Sequence, residues 1–280
     1  MLSYRHAFHA GNHADVLKHL MLVQVLDYFN RKDAPYWYID THAGAGAYPL
    51  DSEQASKLNE SQSGIARLAG ADGLPDTITR YLAVAGCGER LAPVYPGSPE
   101  FAHRVLRPQD AMRLFELHPA DSRVLEAHFA RAGKRVQVRA EDGFAALKSL
   151  LPPPTRRAVV LIDPPYEVKS DYDVLVRTLE EALRRFASGC YLVWYPVLAR
   201  SESRALPDRL RQLAGDGFSW LSARLHVTPA QEDGPGMTGS GMFVFNPPYT
   251  LRATMEACMP VLHAHLGAAG GGFELDGEQL

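Results

Sequence analysis

The chain has 280 residues, 46% of them hydrophobic, and a formal charge of −3. That is enough apolar chain for one large domain with a real core, and the slightly acidic balance argues against a strongly basic, non-specific nucleic-acid binder. Cys87, Cys190 and Cys258 form an odd set without motif spacing, the start lacks a signal-peptide core, and no apolar run reaches the ~18 residues of a membrane span, so the expectation is a cytoplasmic protein with reduced thiols.

No internal repeat is visible. Residues 14–30 place Val16, Leu17, Leu20, Met21, Val23 and Leu26 at helical spacing. Residues 36–39 predict a short buried strand ending at Asp40. Residues 51–95 turn more polar and predict a helical insertion subdomain, with helices near 52–69 and 75–85. Ser98-Pro99-Glu100 has the form of a helix start. Strands follow at 112–117, 135–138, 158–162 and 190–195. Helices from Pro119 to about Gly133, and over 144–151, 171–187 and 201–214, separate and follow them. A closing strand pair is expected at 220–227 and 242–245, then a helix over 250–265 and a glycine-rich, flexible tail at 267–280.

This alternation predicts a single α/β domain over 1–280, a mostly parallel sheet with helices on both faces. Ligands in such sheets bind outside the carboxyl ends of the strands. Asp40, Glu116, Asp142 and Asp163 all fall at or just after predicted strand ends, which places four acids on one rim.

Asp40-Thr41-His42-Ala43-Gly44-Ala45-Gly46 follows the first strand. Gly44 and Gly46 permit a tight turn and close backbone approach to a ligand. Position 49 is proline, so the dinucleotide fingerprint is incomplete, and no Gly-Lys-Ser/Thr follows as in a phosphate loop. An acid four residues before Gly-x-Gly is shared by S-adenosylmethionine-dependent methyltransferases; an ordinary strand–helix turn is the alternative. Glu116 can accept two ribose hydroxyls. It lies farther from the turn than the usual ~20 residues, and the insertion accounts for the excess. Otherwise it is an exposed strand-end acid. Asp142-Gly143 offers either an acceptor for an adenine amino group or a cap for the next helix.

Asp163-Pro164-Pro165-Tyr166 follows the apolar run Ala158 to Ile162. A carboxylate there is costly without a partner. The prolines remove two donors and leave carbonyl acceptors, and the tyrosine offers a stacking ring worth ~1–3 kcal/mol against a base. Acceptors at an aromatic amine favour a pyramidal nitrogen with a released lone pair. The set points to amine methylation of a base, adenine N6 first, with Asp163, Pro164 and Tyr166 as the catalytic group. Whether Asp163 takes the proton or only orients the amine stays open. A strand-ending turn is the structural alternative. Asn246-Pro247-Pro248-Tyr249 lacks the acid and reads as a turn.

The segment Tyr4-Arg5-His6-Ala7-Phe8-His9-Ala10-Gly11-Asn12-His13 through Lys18-His19 interleaves cationic and aromatic residues. Without cysteines or paired carboxylates to complete a ligand set, a metal site at His9 and His13 gives way to a surface for phosphates and bases, with Tyr4, Arg5 and His6 as RNA contacts. Lys18 and His19 either meet a cofactor carboxylate or lie on a solvated helix face.

These residues, with Asp40 to Gly46, Asp163-Pro164-Pro165-Tyr166-Glu167 and Gly239-Ser240-Gly241-Met242, resemble the bacterial 23S ribosomal RNA adenine-N6 methyltransferase J family. The resemblance spans nearly the whole chain. It implies a class I S-adenosylmethionine-dependent methyltransferase fold, Rossmann-like with a seven-stranded, mostly parallel sheet and a small helical insertion. It implies cofactor contacts at His19, His42, Ser98, Glu116, Asp142, Gly143 and Asp163, with S-adenosylhomocysteine as the product. It also makes Asp163 the catalytic acid and sets Tyr4 against the RNA. No metal is called for. The expected partner is 23S ribosomal RNA, naked or in an early assembly intermediate, met by a monomer. The alternatives are a DNA adenine-N6 methyltransferase and a non-catalytic RNA-binding module; a glutamine methyltransferase would usually carry Asn in place of Asp163.

Overall fold

Five consecutive apolar residues, Ala158 to Ile162, are all buried, as a strand covered on both faces requires. They lie at the middle of the sheet in a computed structural model that describes residues 6–229 and 236–279. The chain runs α1 (His13–Phe29), β1 (Trp37–Asp40), β2 (Ala47–Pro49), α2 (Glu53–Leu58), α3 (Asp76–Ala85), β3 (Val94–Pro96), α4 (Ser98–Val105), β4 (Ala111–Phe115), α5 (Pro119–Phe129) and β5 (Val136–Arg139). It continues as α6 (Gly143–Leu150), β6 (Ala158–Ile162), α7 (Ser170–Arg185), β7 (Cys190–Val197), α8 (Ser201–Ala214), β8 (Trp220–His226), β9 (Gly239–Phe245), α9 (Leu251–Leu266) and β10 (Gly272–Glu278).

The sheet order is β10-β8-β9-β7-β6-β1-β4-β5. Strands β5, β4, β1, β6 and β7 are parallel, and β9, β8 and β10 pair antiparallel. Among the described residues this makes eight strands, where seven were expected. The additional one is β10, which comes from residues 267–280, the segment expected to be a flexible tail. Its glycines cluster before the strand; beyond them Phe273-Glu274-Leu275-Asp276 alternates apolar and polar residues, the period of a half-covered strand. Glu274 pairs with Arg224 and, at 3.0 Å, with His226 across the ladder.

Side chains leave successive strand residues on opposite faces, so each face buries its own core. Tyr38, Val159, Leu161 and Leu192 join one; Ile39, Val160, Ile162, Tyr191 and Val193 join the other. Helix α1 belongs to the first. It is buried nearly all round, from Ala14 to Val23, between α3, α4, α9 and β9. A helix buried on nearly every side needs such enclosure, with its polar residues Asp15, Lys18 and His19 paired or packed inside it.

The excursion 51–95 leaves and returns through the antiparallel pair β2–β3. Its first predicted helix, 52–69, is a short α2 followed by two 3-10 turns, because Asn59 takes a left-handed conformation (φ 51°) that stops α2. Ile65, Leu68, Ile78, Tyr81 and Leu82 pack into the same core as α1.

Candidate active site

The turn after β1 is built around a buried acid. Asp40 is fully buried; its Oδ2 accepts from the Tyr38 hydroxyl at 2.7 Å and the Ser98 hydroxyl at 2.6 Å, and its Oδ1 from the His42 N–H at 3.3 Å. Burial outweighs these donors and pushes its carboxyl up to about 6. The acid therefore fixes the start of the turn and the first residue of α4 together. The Thr41 N–H and hydroxyl both donate to the Leu161 carbonyl, at 3.1 and 3.2 Å, joining the turn to the strand that delivers Asp163. The His42 ring meets Phe144 edge-on at 4.8 Å, and burial lowers its pKa to about 3, so it is neutral.

Glu116 reaches the same turn from β4. Its Oε2 accepts from the Gly44 N–H at 2.8 Å and its Oε1 from the His118 N–H at 2.6 Å. Burial raises its pKa. Each oxygen keeps a second lone pair for a ligand hydroxyl. Gly44 sits at φ +61°, where a Cβ would fall 2.2 Å from the Tyr48 hydroxyl. Asp142 caps α6, its Oδ1 accepting from the Phe144 N–H at 2.9 Å, and its side chain is exposed. Gly143 is packed so tightly on the turn that a Cβ would lie 2.1 Å from the Thr41 carbonyl oxygen. Asp40, His42, Gly44, Gly46, Ser98, Glu116, Asp142 and Gly143 thus form one contiguous cradle. Gly143→Ala should displace the turn, weaken S-adenosylhomocysteine binding by at least ~10-fold and cost about 1–3 kcal/mol of stability. Isothermal titration and urea denaturation read both; unchanged affinity would show that the contact yields without consequence.

Beside the cradle lies a charge cluster. Lys18 Nζ, on α1, donates to Asp163 Oδ2 at 2.6 Å and lies 2.9 Å from Asp15 Oδ1, an ion contact without aligned hydrogen-bond geometry. Lys18 is 4% exposed, and the Asp163 side chain 16%. Burial works against the ammonium, but Asp15 and Asp163 overcome it and hold its pKa above the ordinary lysine value. Lys18 therefore sits neither on a solvated helix face nor alone over the cofactor cradle: it is the partner of the predicted catalytic acid. Asp163 Oδ2 is committed to Lys18, while among the described residues no group donates to Oδ1.

His19 points into the core. Its Nδ1 shares a 2.8 Å hydrogen bond with the Tyr95 hydroxyl, which lies 3.0 Å from that of Tyr81, and its ring stacks on Phe101 at 4.6 Å. Its Nε2 has no hydrogen-bond partner. Tyr166 corrects the expected stacking role. It is 2% exposed, donates its hydroxyl to the Trp194 carbonyl at 2.6 Å and packs on Tyr172 at 4.8 Å. No open ring face remains for a base. Its φ of +52° is left-handed, and Arg200 Nη1 donates to its carbonyl at 3.3 Å. The ring fixes the turn from beneath, which is where the apolar second core draws it.

Tyr4 and Arg5, expected to meet RNA, lie outside the described residues. His6 is within them, with Nε2 2.9 Å from Asp15 Oδ2. His9 pairs with Glu60 at 3.0 Å, and among the described residues no group of three or more His, Cys, Asp or Glu could hold a metal ion. No helix there is long and apolar enough to cross a membrane. Sequence reasoning missed Asp15, Phe144, Trp194 and Arg200. Asp15 could have been found, since it stands three and four residues before Lys18 and His19 and therefore on their helix face.

A family model described as ribosomal RNA large subunit methyltransferase D, RlmJ, matches residues 33–277. The ribosomal RNA large subunit methyltransferase J of Escherichia coli K12 is 45% identical, over 97% of this chain and 96% of that protein. The protein of the same name from Haemophilus influenzae Rd is 43% identical, also over 97% and 96%. The crystal structure of protein LPL1258 from Legionella pneumophila matches with a TM-score of 0.86 at 33% identity, covering 96% of this chain and 98% of that one. A probable spermidine synthase from Corynebacterium glutamicum, at 14% identity and a TM-score of 0.50 over 92% and 74%, shares the fold alone. A sheet with its acids gathered on one rim, a family match from the first strand to the last, and two relatives aligned almost end to end lead to one conclusion: the chain belongs to the large-subunit ribosomal RNA methyltransferase J family.

Proposed function

We propose that the protein transfers a methyl group from S-adenosylmethionine to the exocyclic N6 of an adenine in 23S ribosomal RNA. The observation that carries this is Asp163: a recessed carboxylate at the end of β6, with one oxygen fixed by Lys18 and, among the described residues, no donor to the other. The cradle fits the cofactor. Glu116 has lone pairs left for ribose hydroxyls, the second oxygen of Asp142 suits an adenine amino group, and Gly44 and Gly46 admit close approach of the ligand to backbone. Ser98, held by Asp40, and His42 line the same turn, and the unpartnered Nε2 of buried His19 is available for a polar group of the cofactor.

S-adenosylmethionine supplies an electrophilic methyl carbon on a sulfonium. Asp163 Oδ1 and the Pro164 carbonyl accept the two N6 hydrogens and turn the nitrogen lone pair out of the ring. As the N–C bond forms and the S–CH3 bond breaks, releasing S-adenosylhomocysteine, the nitrogen would become cationic, and the carboxylate would face that charge where it develops. The amine then loses one proton, to Asp163 or to water, and keeps the methyl group. A base must leave its stack to reach so recessed an acid, which favours naked or early-assembly RNA over a mature particle. Tyr4, Arg5 and His6 are the proposed RNA contacts. The buried, unpaired cysteines suit the cytoplasm, and the chain is proposed to act as a monomer without metal.

The test is incubation with methyl-labelled S-adenosylmethionine and either 23S ribosomal RNA or duplex DNA. Label should appear in the RNA as N6-methyladenosine. Label in DNA alone, or in neither, would overturn the proposal.

A further inference from the structure

Asp15 is 1% exposed, yet it touches three groups from separate parts of the site. Its Oδ2 accepts from the Gly11 N–H at 2.9 Å and lies 2.9 Å from His6 Nε2; its Oδ1 faces the Lys18 ammonium at 2.9 Å. A buried carboxylate is tolerated only with such partners. Asn12 caps α1 by accepting from the Ala14 and Asp15 N–H groups, and the Gly11 N–H that Asp15 accepts adds to that start; the contacts to His6 and Lys18 go beyond what the helix start requires. The acid's partners lie instead along the path from the N-terminal segment to Asp163.

We propose that Asp15 is a positioning residue: it locks the Lys18 ammonium against Asp163 and ties that pair to the N-terminal segment through His6 and Gly11. This rests on the function proposed above. The flexible butylammonium arm of lysine has many rotamers. Between two carboxylates it keeps one, and Asp163 Oδ1 is then presented to the amine in a single orientation. The groups facing Lys18 are Asp15 on its own helix, Asp163 at the end of β6, the Trp194 ring of β7 at 5.8 Å, and the neighbouring His19 ring, with the hydroxyls of Tyr48, Tyr81 and Tyr95 farther out. His6 and His19 face Asp15 from the other side. Asp15 and Asp163 are the two carboxylates in contact with the ammonium, so removing one charge releases its proton earlier.

Asp15→Asn is the test. Binding of S-adenosylhomocysteine should be unchanged, while kcat on 23S ribosomal RNA falls roughly 10- to 100-fold, the size of one lost contact between buried charges. On the alkaline side the variant should lose rate at lower pH than the unaltered protein, because Lys18 then has a single carboxylate. Asp15→Glu, which restores the charge on a longer arm, should recover the alkaline limb. An unchanged kcat, or a lower kcat with the alkaline limb unmoved, overturns the proposal. Should Asp15→Asn fail to fold, NMR of proteins labelled with 13C at lysine Cε answers instead, with the Lys18 signal assigned by its loss in Lys18→Arg. In Asp163→Asn, Lys18 should still titrate later than the other lysines because Asp15 remains; titration with the rest overturns the proposal. That measurement uses no RNA, so it stands apart from the outcome of the methylation assay, whose failure with the unaltered protein would sink the functional reading instead.

Discussion

Asp163→Asn should lower kcat for methyl transfer by roughly 10²- to 10⁴-fold, the range for loss of a positioned acid–base group, with S-adenosylhomocysteine binding largely kept. The substitution changes almost no volume, so the effect comes from hydrogen-bond polarity. The carboxylate accepts from Lys18 on Oδ2, which on the proposed function leaves Oδ1 for the target amine. An amide has a single acceptor oxygen, and the Lys18 ammonium would claim it. The NH2 would then face the adenine NH2, donor against donor. Losing one ordinary hydrogen bond of about 0.5–1.5 kcal/mol would slow the reaction only about 2- to 12-fold, so the size of the loss separates a charge role from a simple contact. Single-turnover methylation with labelled cofactor gives the rate and calorimetry the affinity. A wild-type rate would remove Asp163 from the chemistry, and a parallel loss of cofactor affinity would reassign it to cofactor binding.

Lys18→Met should abolish measurable turnover and cost about 3–5 kcal/mol of stability, the penalty for stripping the partner from buried charge. Methionine nearly matches the lysine stem in volume, so little of this arises from packing. Asp15 keeps His6 and the Gly11 N–H, while Asp163 loses the one side chain among the described residues that is hydrogen-bonded to it. The pH dependence follows from the directions of the shifts. Lys18 has a pKa raised in the folded state, so its contribution is complete below the ordinary lysine value and is lost only as pH rises through the folded one. The pKa of Asp15 is depressed, chiefly against burial by His6 and Lys18, so its contribution is complete above the ordinary aspartate value and is lost as pH falls through the folded one. The stability gap between variant and unaltered protein should therefore be flat from about pH 5 to 9 and narrow only outside that range. Urea denaturation across pH reads it. A gap that opens and closes within the window would mean that another group governs the effect.

Much of this site was legible because its signals are local. A run of five apolar residues before Asp163, and glycines placed after Asp40, report strand ends and tight turns through backbone geometry alone. The parallel order followed from strands alternating with helices. The features that escaped depend on distant packing. Tyr166 sits in an acceptor-rich motif, and nothing in its neighbours tells that Trp194 and Tyr172 bury its ring. The pairing of Lys18 with Asp163 joins residues 145 positions apart, so periodicity could place the lysine on a helix but not its charge beside that acid. For β10, glycine content outweighed a short alternating pattern whose partner strand lies some fifty residues earlier. The insertion was seen as a change in composition, yet Ile78 and Tyr81 bury against α1 as core residues do.

The enclosure of α1 also bears on how the chain reaches this shape. This helix, buried on nearly every side, is made well before β9 and α9, which cover it and lie more than 200 positions downstream. Contacts of such sequence separation are slow to close. Until they do, the nascent chain carries a sticky cylinder whose Lys18 has not yet met the distant Asp163 carboxylate. Chaperone demand during synthesis should therefore be set by the time taken to translate the second half of the protein, and a slowly decoded stretch before β9 should lower soluble yield more than the same delay placed after α9.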